Sequence, residues 1–279
     1  DLKKRNESKM NQLLEFLKNN PAEALKYAIP LDDYGVSRGS KNGEFSLEKR
    51  WFDFSIFGSP DHSASGNVDI GEHYGKLQTQ YHSMAEEFIR QKEMMQAAFV
   101  YMKLLKNPWM AASTLQNGHF YLEAATIFLK NLNNKEMAAA CYEKGNMTEE
   151  AIQLYHEMGQ NEKAGDLYVS IGKRTAANVS YGKVANSYIT SGQYVKAALI
   201  YRNKMLQPLL GQNILLQGWN QKKDPVNCLN NFLANIPDVK QLGNQIKWLY
   251  TNNVNEENRE QFLTVLEHEF RKKNELKQD

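Results

Sequence analysis

Cysteine is scarce in this sequence, and so are long apolar runs. The only cysteines among the 279 residues are Cys141 and Cys228, which share no short motif. Two isolated cysteines predict neither a disulfide framework nor a zinc site, and they favour a reducing, cytoplasmic setting. No apolar run reaches the roughly 20 residues that a membrane-spanning helix needs, so no such span is predicted.

An excess of one charge sign is also lacking. The 34 basic and 32 acidic side chains leave a formal net charge of +2, which is too small to favour a nucleic-acid or anionic-membrane partner. Short basic clusters at residues 3–5, 222–223 and 271–273 are interpreted as solvated helix ends. Because the sequence begins with Asp1 instead of methionine, we expect it to be a fragment of a longer polypeptide.

Catalytic motifs are missing as well. No pair among the six histidines has the spacing, with a glutamate, of a zinc hydrolase, and no Gly-x-Ser-x-Gly elbow occurs. The run at residues 71–77 is one residue too short for a phosphate-binding loop and ends in Leu77, where a magnesium-binding hydroxyl is needed. The sequence therefore predicts no catalytic residue, no cofactor and no metal.

What the sequence does contain is a small residue followed four positions later by an aromatic one. Residues four apart share one face of a helix, where the small residue allows close approach and the aromatic ring fills the space beside it. Successive aromatic residues lie 27, 14, 13, 13, 20 and 13 positions apart, so the first interval holds two unmarked steps and one later unit is lengthened. This ladder predicts stacked short helices with the pairs in their core: Ala97/Tyr101, Ala124/Phe128, Ala138/Tyr142, Ala151/Tyr155, Ala164/Tyr168, Val184/Tyr188 and Ala197/Tyr201.

Helix breakers divide the chain into four predicted segments. Residues 1–30 are expected to form a helical hairpin, and residues 31–75 an irregular loop rich in glycine and serine. Residues 76–206 carry the ladder. At six joints a Gly or Asn is expected to supply the left-handed residue that ends a helix: Asn117-Gly118, Asn133-Asn134, Gly145-Asn146, Gly159-Gln160, Gly172 and Gly192. Residues 207–279 predict a helical cap, because a terminal repeat would otherwise expose its core face.

The loop contains an aromatic run, residues 51–57, which we call the hook. Alternation of its apolar residues is typical of a half-buried extended segment. Such a segment either packs into a groove of its own solenoid or forms an exposed docking motif. On the second interpretation, the residues that anchor a partner are Trp51, Phe52, Phe54 and Phe57.

The segment from Ala97 to Met205 resembles the tetratricopeptide-like superfamily of helical repeats. The resemblance is carried by the runs at residues 123–128, 149–155 and 163–168, and two steps span about 27 residues where the standard unit has about 34. It implies an all-α, right-handed α-solenoid of antiparallel helix pairs. Residues 23–33, together with the hook and the ladder, also resemble helical-repeat proteins of bacterial MoxR ATPase, von Willebrand A and β-propeller gene systems.

The sequence favours a non-catalytic scaffold that binds partner proteins, and fold-level resemblance carries most of that hypothesis. Partners made of nucleic acid, membrane or metal are not expected. Two alternatives remain. The chain is an enzyme or small-ligand receptor with a cavity inside the solenoid, or it is a spacer within a larger polypeptide.

Overall fold

A computed structural model describes residues 2–31, 36–37, 56–57, 67–68 and 73–272. The regular structure of these residues is helical apart from one two-residue antiparallel pairing, in which Val36 pairs with Val68 and Ser37 with Asn67. The chain divides into two compact units, Asp1–Leu154 and Tyr155–Asp279, and this boundary lies within the segment where the ladder predicts repeats.

The first unit is built from helices that pack on their neighbours in the sequence. A 3₁₀ turn, Leu25–Tyr27, follows the second helix, and a π-helical segment, Val100–Leu104, extends the fourth. Pro21 is the first residue of the second helix, as the sequence predicts. The helices are α1 (Leu2–Asn19), α2 (Pro21–Ala24), α3 (Tyr74–Arg90), α4 (Met94–Phe99), α5 (Pro108–Asn117), α6 (Tyr121–Lys130), α7 (Lys135–Lys144) and the start of α8 (Thr148–Glu157).

The second unit has the same neighbour-to-neighbour packing along most of its length. A second π-helical segment, Ile200–Lys204, extends its third complete helix. Trp219 is fully buried among the helices that close this unit. After the end of α8, the helices are α9 (Asn161–Ser170), α10 (Arg174–Thr190), α11 (Tyr194–Leu199), α12 (Pro208–Asn220), α13 (Pro225–Ala234), α14 (Val239–Asn253) and α15 (Arg259–Lys272).

Each joint from α3 to α13 contains at least one residue with a positive φ. Asn133, Asn146, Gly159, Gly172 and Gly192 fill this role where the sequence predicts Gly or Asn, with φ between 48° and 74°. At the joint after α5 the prediction of Gly118 is wrong, since Gly118 has φ −83° and His119 has φ 66°. The joint therefore imposes the left-handed conformation even on a residue such as His119, whose Cβ atom makes that conformation less favourable than it is for glycine.

The backbone carbonyls of the ladder aromatics also accept the hydrogen bonds that end their helices. The carbonyl of Tyr142 accepts a hydrogen bond of 2.8 Å from the N–H of Met147, five positions later, and the carbonyl of Tyr155 accepts one of 2.8 Å from Gln160. This is the bond of a Schellman motif, in which a left-handed residue precedes the donor. In both α7 and α8 the aromatic residue therefore lies two positions before the last residue of its helix.

This bond explains why single steps of the ladder differ by one position. Where the aromatic carbonyl accepts from five positions ahead, as at Tyr142 and Tyr155, the next aromatic lies 13 positions along the chain. The carbonyl of Phe128 accepts from Asn134, six positions ahead at 2.7 Å, and the next aromatic lies 14 positions along. One extra residue in the joint lengthens the repeat by one.

One module occurs twice, with an offset of 100 positions. Residues 74–118 and 174–218 each form a 17-residue helix, a tight turn, a six-residue helix with a five-residue π segment, and a helix that begins with proline. Lys106 and Leu206 occupy the same left-handed position, with φ 53° and 57°. The copies share nine identical positions: Tyr81/Tyr181, Ala85/Ala185, Ile89/Ile189, Ala97/Ala197, Ala98/Ala198, Tyr101/Tyr201, Pro108/Pro208, Leu115/Leu215 and Gly118/Gly218.

The π segments place equivalent carbonyls in contact with donors from distant parts of the same unit. In the first copy the Leu104 carbonyl accepts from the N–H of Leu31 at 2.7 Å. In the second the Lys204 carbonyl accepts from the Arg174 guanidinium at 2.6 Å. A π turn frees a backbone carbonyl from the helical ladder, so both copies use it to attach another segment.

Candidate partner-binding surface

The hook lies mostly outside the described residues. Trp51, Phe52 and Phe54, three of the four predicted anchors, belong to the part of the chain that the structure does not describe. The fourth, Phe57, is 47% exposed, whereas its neighbour Ile56 is buried. The assignment of the hook to partner binding stays a prediction.

Most residues of the predicted core pairs are buried, and the others are partly buried. Their small residues Ala97, Ala124, Ala138, Ala151, Ala164 and Ala197 are all fully buried. Tyr101, Phe128 and Tyr155 are buried too. The remaining pair members are only partly buried: Tyr142, Tyr168, Val184, Tyr188 and Tyr201.

One further pair was missed by the sequence analysis. Ala177 and Tyr181 are four positions apart in α10, and both are buried. Tyr181 follows Tyr168 at the same interval that separates Tyr168 from Tyr155. The long interval between Tyr168 and Tyr188 is thus one normal step plus seven further positions, because the 17-residue helix α10 carries two pairs. A step of normal length counted from Tyr168 would have revealed the pair.

Tyr181 is the centre of a polar cluster on α9, α10 and the second π segment. Its hydroxyl donates a hydrogen bond of 2.6 Å to Asp166, and the Lys204 ammonium lies 2.8 Å from the same carboxylate. Glu162 is 3.4 Å from Lys204. Burial, reinforced by the bond to Asp166, raises the pKa of the Tyr181 phenol, so the phenol stays protonated as a donor.

This cluster holds helices together, and its groups are already occupied by one another. The equivalent tyrosine of the first copy, Tyr81, has a comparable task, since its hydroxyl donates to the Ile29 carbonyl at 2.9 Å and accepts from the Ile29 N–H at 2.8 Å. Both tyrosines attach α3 or α10 to a preceding segment. The geometry does not indicate a catalytic acid or base here.

Four leucines of the second unit are exposed to solvent. Leu199, Leu206, Leu209 and Leu210 are 43%, 68%, 80% and 45% exposed. Leu206, Leu209 and Leu210 flank Pro208 in the sequence. Leu199 lines a shallow groove between α11, α12 and α13, together with Val195, Arg202, Pro208, Gly211 and Asn235. Of the four leucines, Leu199 is the one that lines the groove. We call these four leucines together with the groove the leucine surface.

Gly211 keeps the groove narrow. A Cβ atom built at this position would lie 3.0 Å from the backbone oxygen of Ala198, which is closer than nearly all real contacts. The glycine therefore lets α12 approach α11 more closely than a larger residue would allow. Arg202 stands at the rim, where its guanidinium donates a hydrogen bond to the Asn235 side-chain oxygen.

Two kinds of feature are absent from the described residues. Within ranges 2–31, 36–37, 56–57, 67–68 and 73–272, no group of three or more His, Cys, Asp or Glu side chains is placed to hold a metal ion. Among the helices of these same ranges, none has the length and apolar character that crossing a membrane requires.

Comparison with protein-family models, with curated proteins and with solved structures finds no match for this chain. The class that the fold defines is nonetheless plain. The described residues form an all-α protein whose consecutive helices pack on one another, as in a helical repeat.

Proposed function

We propose that this chain is a non-catalytic scaffold that binds partner proteins, built as a right-handed, tetratricopeptide-like solenoid of antiparallel helix pairs. The leucine surface carries the proposal. Leu199, 43% exposed, lines a groove, and Leu206, Leu209 and Leu210, close to one another in the sequence, are 68%, 80% and 45% exposed. Exposed apolar side chains that cluster commonly mark an interaction site. Partner helices bind grooves of this kind through a few large apolar anchors.

The cytoplasm is the compartment that we propose for this scaffold. Cys141 and Cys228 are both free thiols and both buried. Unpaired cysteines are retained more readily in a reducing compartment than in an oxidising one. Phe57, 47% exposed, is a second candidate anchor if the hook engages the same or another partner.

Site-specific photocrosslinking in cells tests the proposal. A benzoylphenylalanine placed at position 209, on the leucine surface, should give a discrete protein adduct. The same group at position 57 reports on the hook. Position 263 is the matched control, because Leu263 is 54% exposed on α15 and lies outside the leucine surface.

A partner identified from the adduct is then purified and titrated against the intact chain. Leu209→Ser should weaken binding at least tenfold, while Leu263→Ser should not, and neither should change the melting temperature because both side chains are exposed. A complete lack of protein adducts at positions 57 and 209 would contradict the scaffold function.

A further inference from the structure

We propose that the first copy of the module carries a peptide-binding site for an extended segment of a partner protein, in which an aliphatic residue, a proline and a second aliphatic residue follow one another. Residues 28–31 of this chain, which we call the docked segment, fill the site, and a partner segment binds by replacing them. This inference rests on the proposed scaffold function and assigns a binding site to the first unit. It follows from the way the module holds the docked segment.

The first copy holds the docked segment by its backbone. The Tyr81 hydroxyl accepts a hydrogen bond of 2.8 Å from the Ile29 N–H and donates one of 2.9 Å to the Ile29 carbonyl. The Leu104 carbonyl, in the π segment, accepts from the Leu31 N–H at 2.7 Å. Pro30, between these two residues, has no N–H and needs no acceptor. Backbone hydrogen bonds of this kind give affinity for a peptide in extended conformation.

The side chains of the docked segment define which sequences fit. Ala28, Ile29 and Leu31 are buried, and Pro30 is partly buried. A charged side chain in place of either aliphatic one would be removed from water at a large cost. Ala28 has an extended backbone, with φ −62° and ψ 150°, and a proline favours an extended conformation in the residue before it. The site therefore selects an extended sequence of the Ile-Pro-Leu type.

The groups that hold the docked segment belong to the module. In the second copy the equivalent hydroxyl, of Tyr181, donates to Asp166, and the equivalent carbonyl, of Lys204, accepts from the Arg174 guanidinium. Both copies thus offer a buried tyrosine hydroxyl and a carbonyl that the π turn releases from the helical hydrogen bonds. Of the two, the first copy directs both groups to the backbone of another segment.

The two copies also differ in how their occupants are joined to them. Helix α9 ends at Ser170 and α10 begins at Arg174, so a three-residue joint fixes α9 beside the second copy. The docked segment is joined to α3 through residues 32–73. The described pairing within this connection is two residues long, which is too short to be stable by itself. Because effective concentration falls as a connection lengthens, the docked segment is easier to replace than α9.

A fluorescein-labelled peptide with the sequence of residues 21–31 tests the site on the full chain. Wild type should bind it weakly, because the docked segment competes within the same molecule. Ile29→Asp places a charge in the docked segment and should displace it. Fluorescence anisotropy should then show at least tenfold tighter binding than to wild type. A peptide with an ester oxygen in place of the Ile29 N–H lacks one donor and should bind this variant at least threefold more weakly.

Paired tyrosine variants locate the binding. In the Ile29→Asp chain, Tyr81→Phe keeps the ring but removes the hydroxyl, so affinity for the peptide should fall at least tenfold because a buried N–H and carbonyl lose their partner. Tyr181→Phe removes the equivalent hydroxyl of the second copy, which binds Asp166, and should change the affinity less than twofold. Circular dichroism confirms that each chain is folded. Leu31→Ser, a smaller disturbance, replaces Ile29→Asp if that chain does not fold.

A photoreactive peptide tests the site without any variant. Photoleucine replaces Leu31 in the peptide, which is irradiated with the wild-type chain at rising peptide concentrations. Mass spectrometry should find a saturable adduct within residues 74–104, which span α3, α4 and the first π segment. The ester peptide, made with the same photoleucine, should give less adduct at each concentration.

Other outcomes overturn the proposal. These are adducts that lie elsewhere or fail to form, equal peptide affinity in wild type and the folded variants, and a Tyr81→Phe variant that binds as tightly as its parent. Exchange of the docked segment between differently tagged copies, without peptide binding, would make a second copy the occupant in place of a partner protein. A protein adduct at position 209 in cells, combined with no peptide binding, would retain the scaffold function and refute only this site.

Discussion

Two glycines in neighbouring helices differ in what they do for the fold. A Cβ atom at Gly165 would lie 2.4 Å from the ring of Tyr181, and that ring is buried and hydrogen-bonded to Asp166. Nothing lies within 4 Å of a Cβ atom at Gly182. Gly165 is thus required by packing, while Gly182 only weakens its helix.

Alanine substitutions at these glycines should have opposite effects on stability. Gly165→Ala should lower the free energy of unfolding by about 1–3 kcal/mol, because the new methyl group displaces a ring that has no free space. Gly182→Ala should raise it by about 0.5–1 kcal/mol through helix propensity. Urea denaturation measures both. A stabilising effect of Gly165→Ala would show that the Tyr181 ring moves freely.

The buried thiol of Cys228 predicts a loss of stability in alkali. Burial, with a smaller contribution from Asp224, raises the pKa of this thiol from about 9 to about 11. Ionisation then favours the unfolded chain, in which the thiol titrates normally. The contribution of the thiol to stability is complete below pH 9 and is lost as the pH rises through about 11.

A comparison of two chains isolates this thiol from other titrating groups. Wild type and Cys228→Ala are unfolded in urea at pH 8 and at pH 10.5. The variant should lose less stability between these pH values, because tyrosines and lysines titrate equally in both chains. The same loss in both chains would mean that the native pKa of Cys228 is ordinary.

The short helices obey a rule that the sequence reveals only in part. Pairs of small and aromatic residues predict where the helices lie, because residues four apart necessarily share a face. The difference of one position between successive steps has no such explanation in the sequence. It depends on whether the carbonyl of the aromatic residue accepts from five or six positions ahead, as Tyr155 and Phe128 do.

Enlarging the buried alanines of the ladder should overpack the helices. Ala151 and Ala164 are fully buried, so Ala151→Leu and Ala164→Leu should each lower the free energy of unfolding by about 1–3 kcal/mol. Ala234→Leu, at the exposed end of α13, is the control and should have little effect. Thermal unfolding by circular dichroism measures all three. Unchanged melting temperatures in both ladder variants would show that these helix faces repack without strain.

The duplicated module was open to detection from the sequence, but not through the ladder. Nine identities at an offset of 100 positions lie between Tyr81 and Gly118 of the first copy. Pro108 and Pro208, each starting a helix, are the clearest signal. The π segments before them leave no recognisable pattern in the sequence, because a π turn arises from hydrogen-bond geometry that many side chains permit.

For the molecule as a whole, the small net charge does not reveal that acidic and basic residues are unevenly distributed along the sequence. The net charge of +2 combines the run from Leu167 to Lys223, which has eight cations and no acid, with a remainder that is net acidic. Reasoning from the total suggested no nucleic-acid partner and no anionic-membrane partner. Only the tertiary structure places Arg202, one cation of this run, in a groove that Leu199 also lines.

The amino-acid sequence alone determined that the described part of this chain belongs to the all-α class, where most of its helices end, and which small residues lie between them. These properties depend on interactions within a few residues, such as capping and spacing along one helix face. Tertiary structure decided that Tyr181 binds Asp166, that Gly165 and Gly211 permit close contacts, and that Leu206 remains exposed. Those outcomes depend on neighbouring helices, whose approach no local pattern encodes.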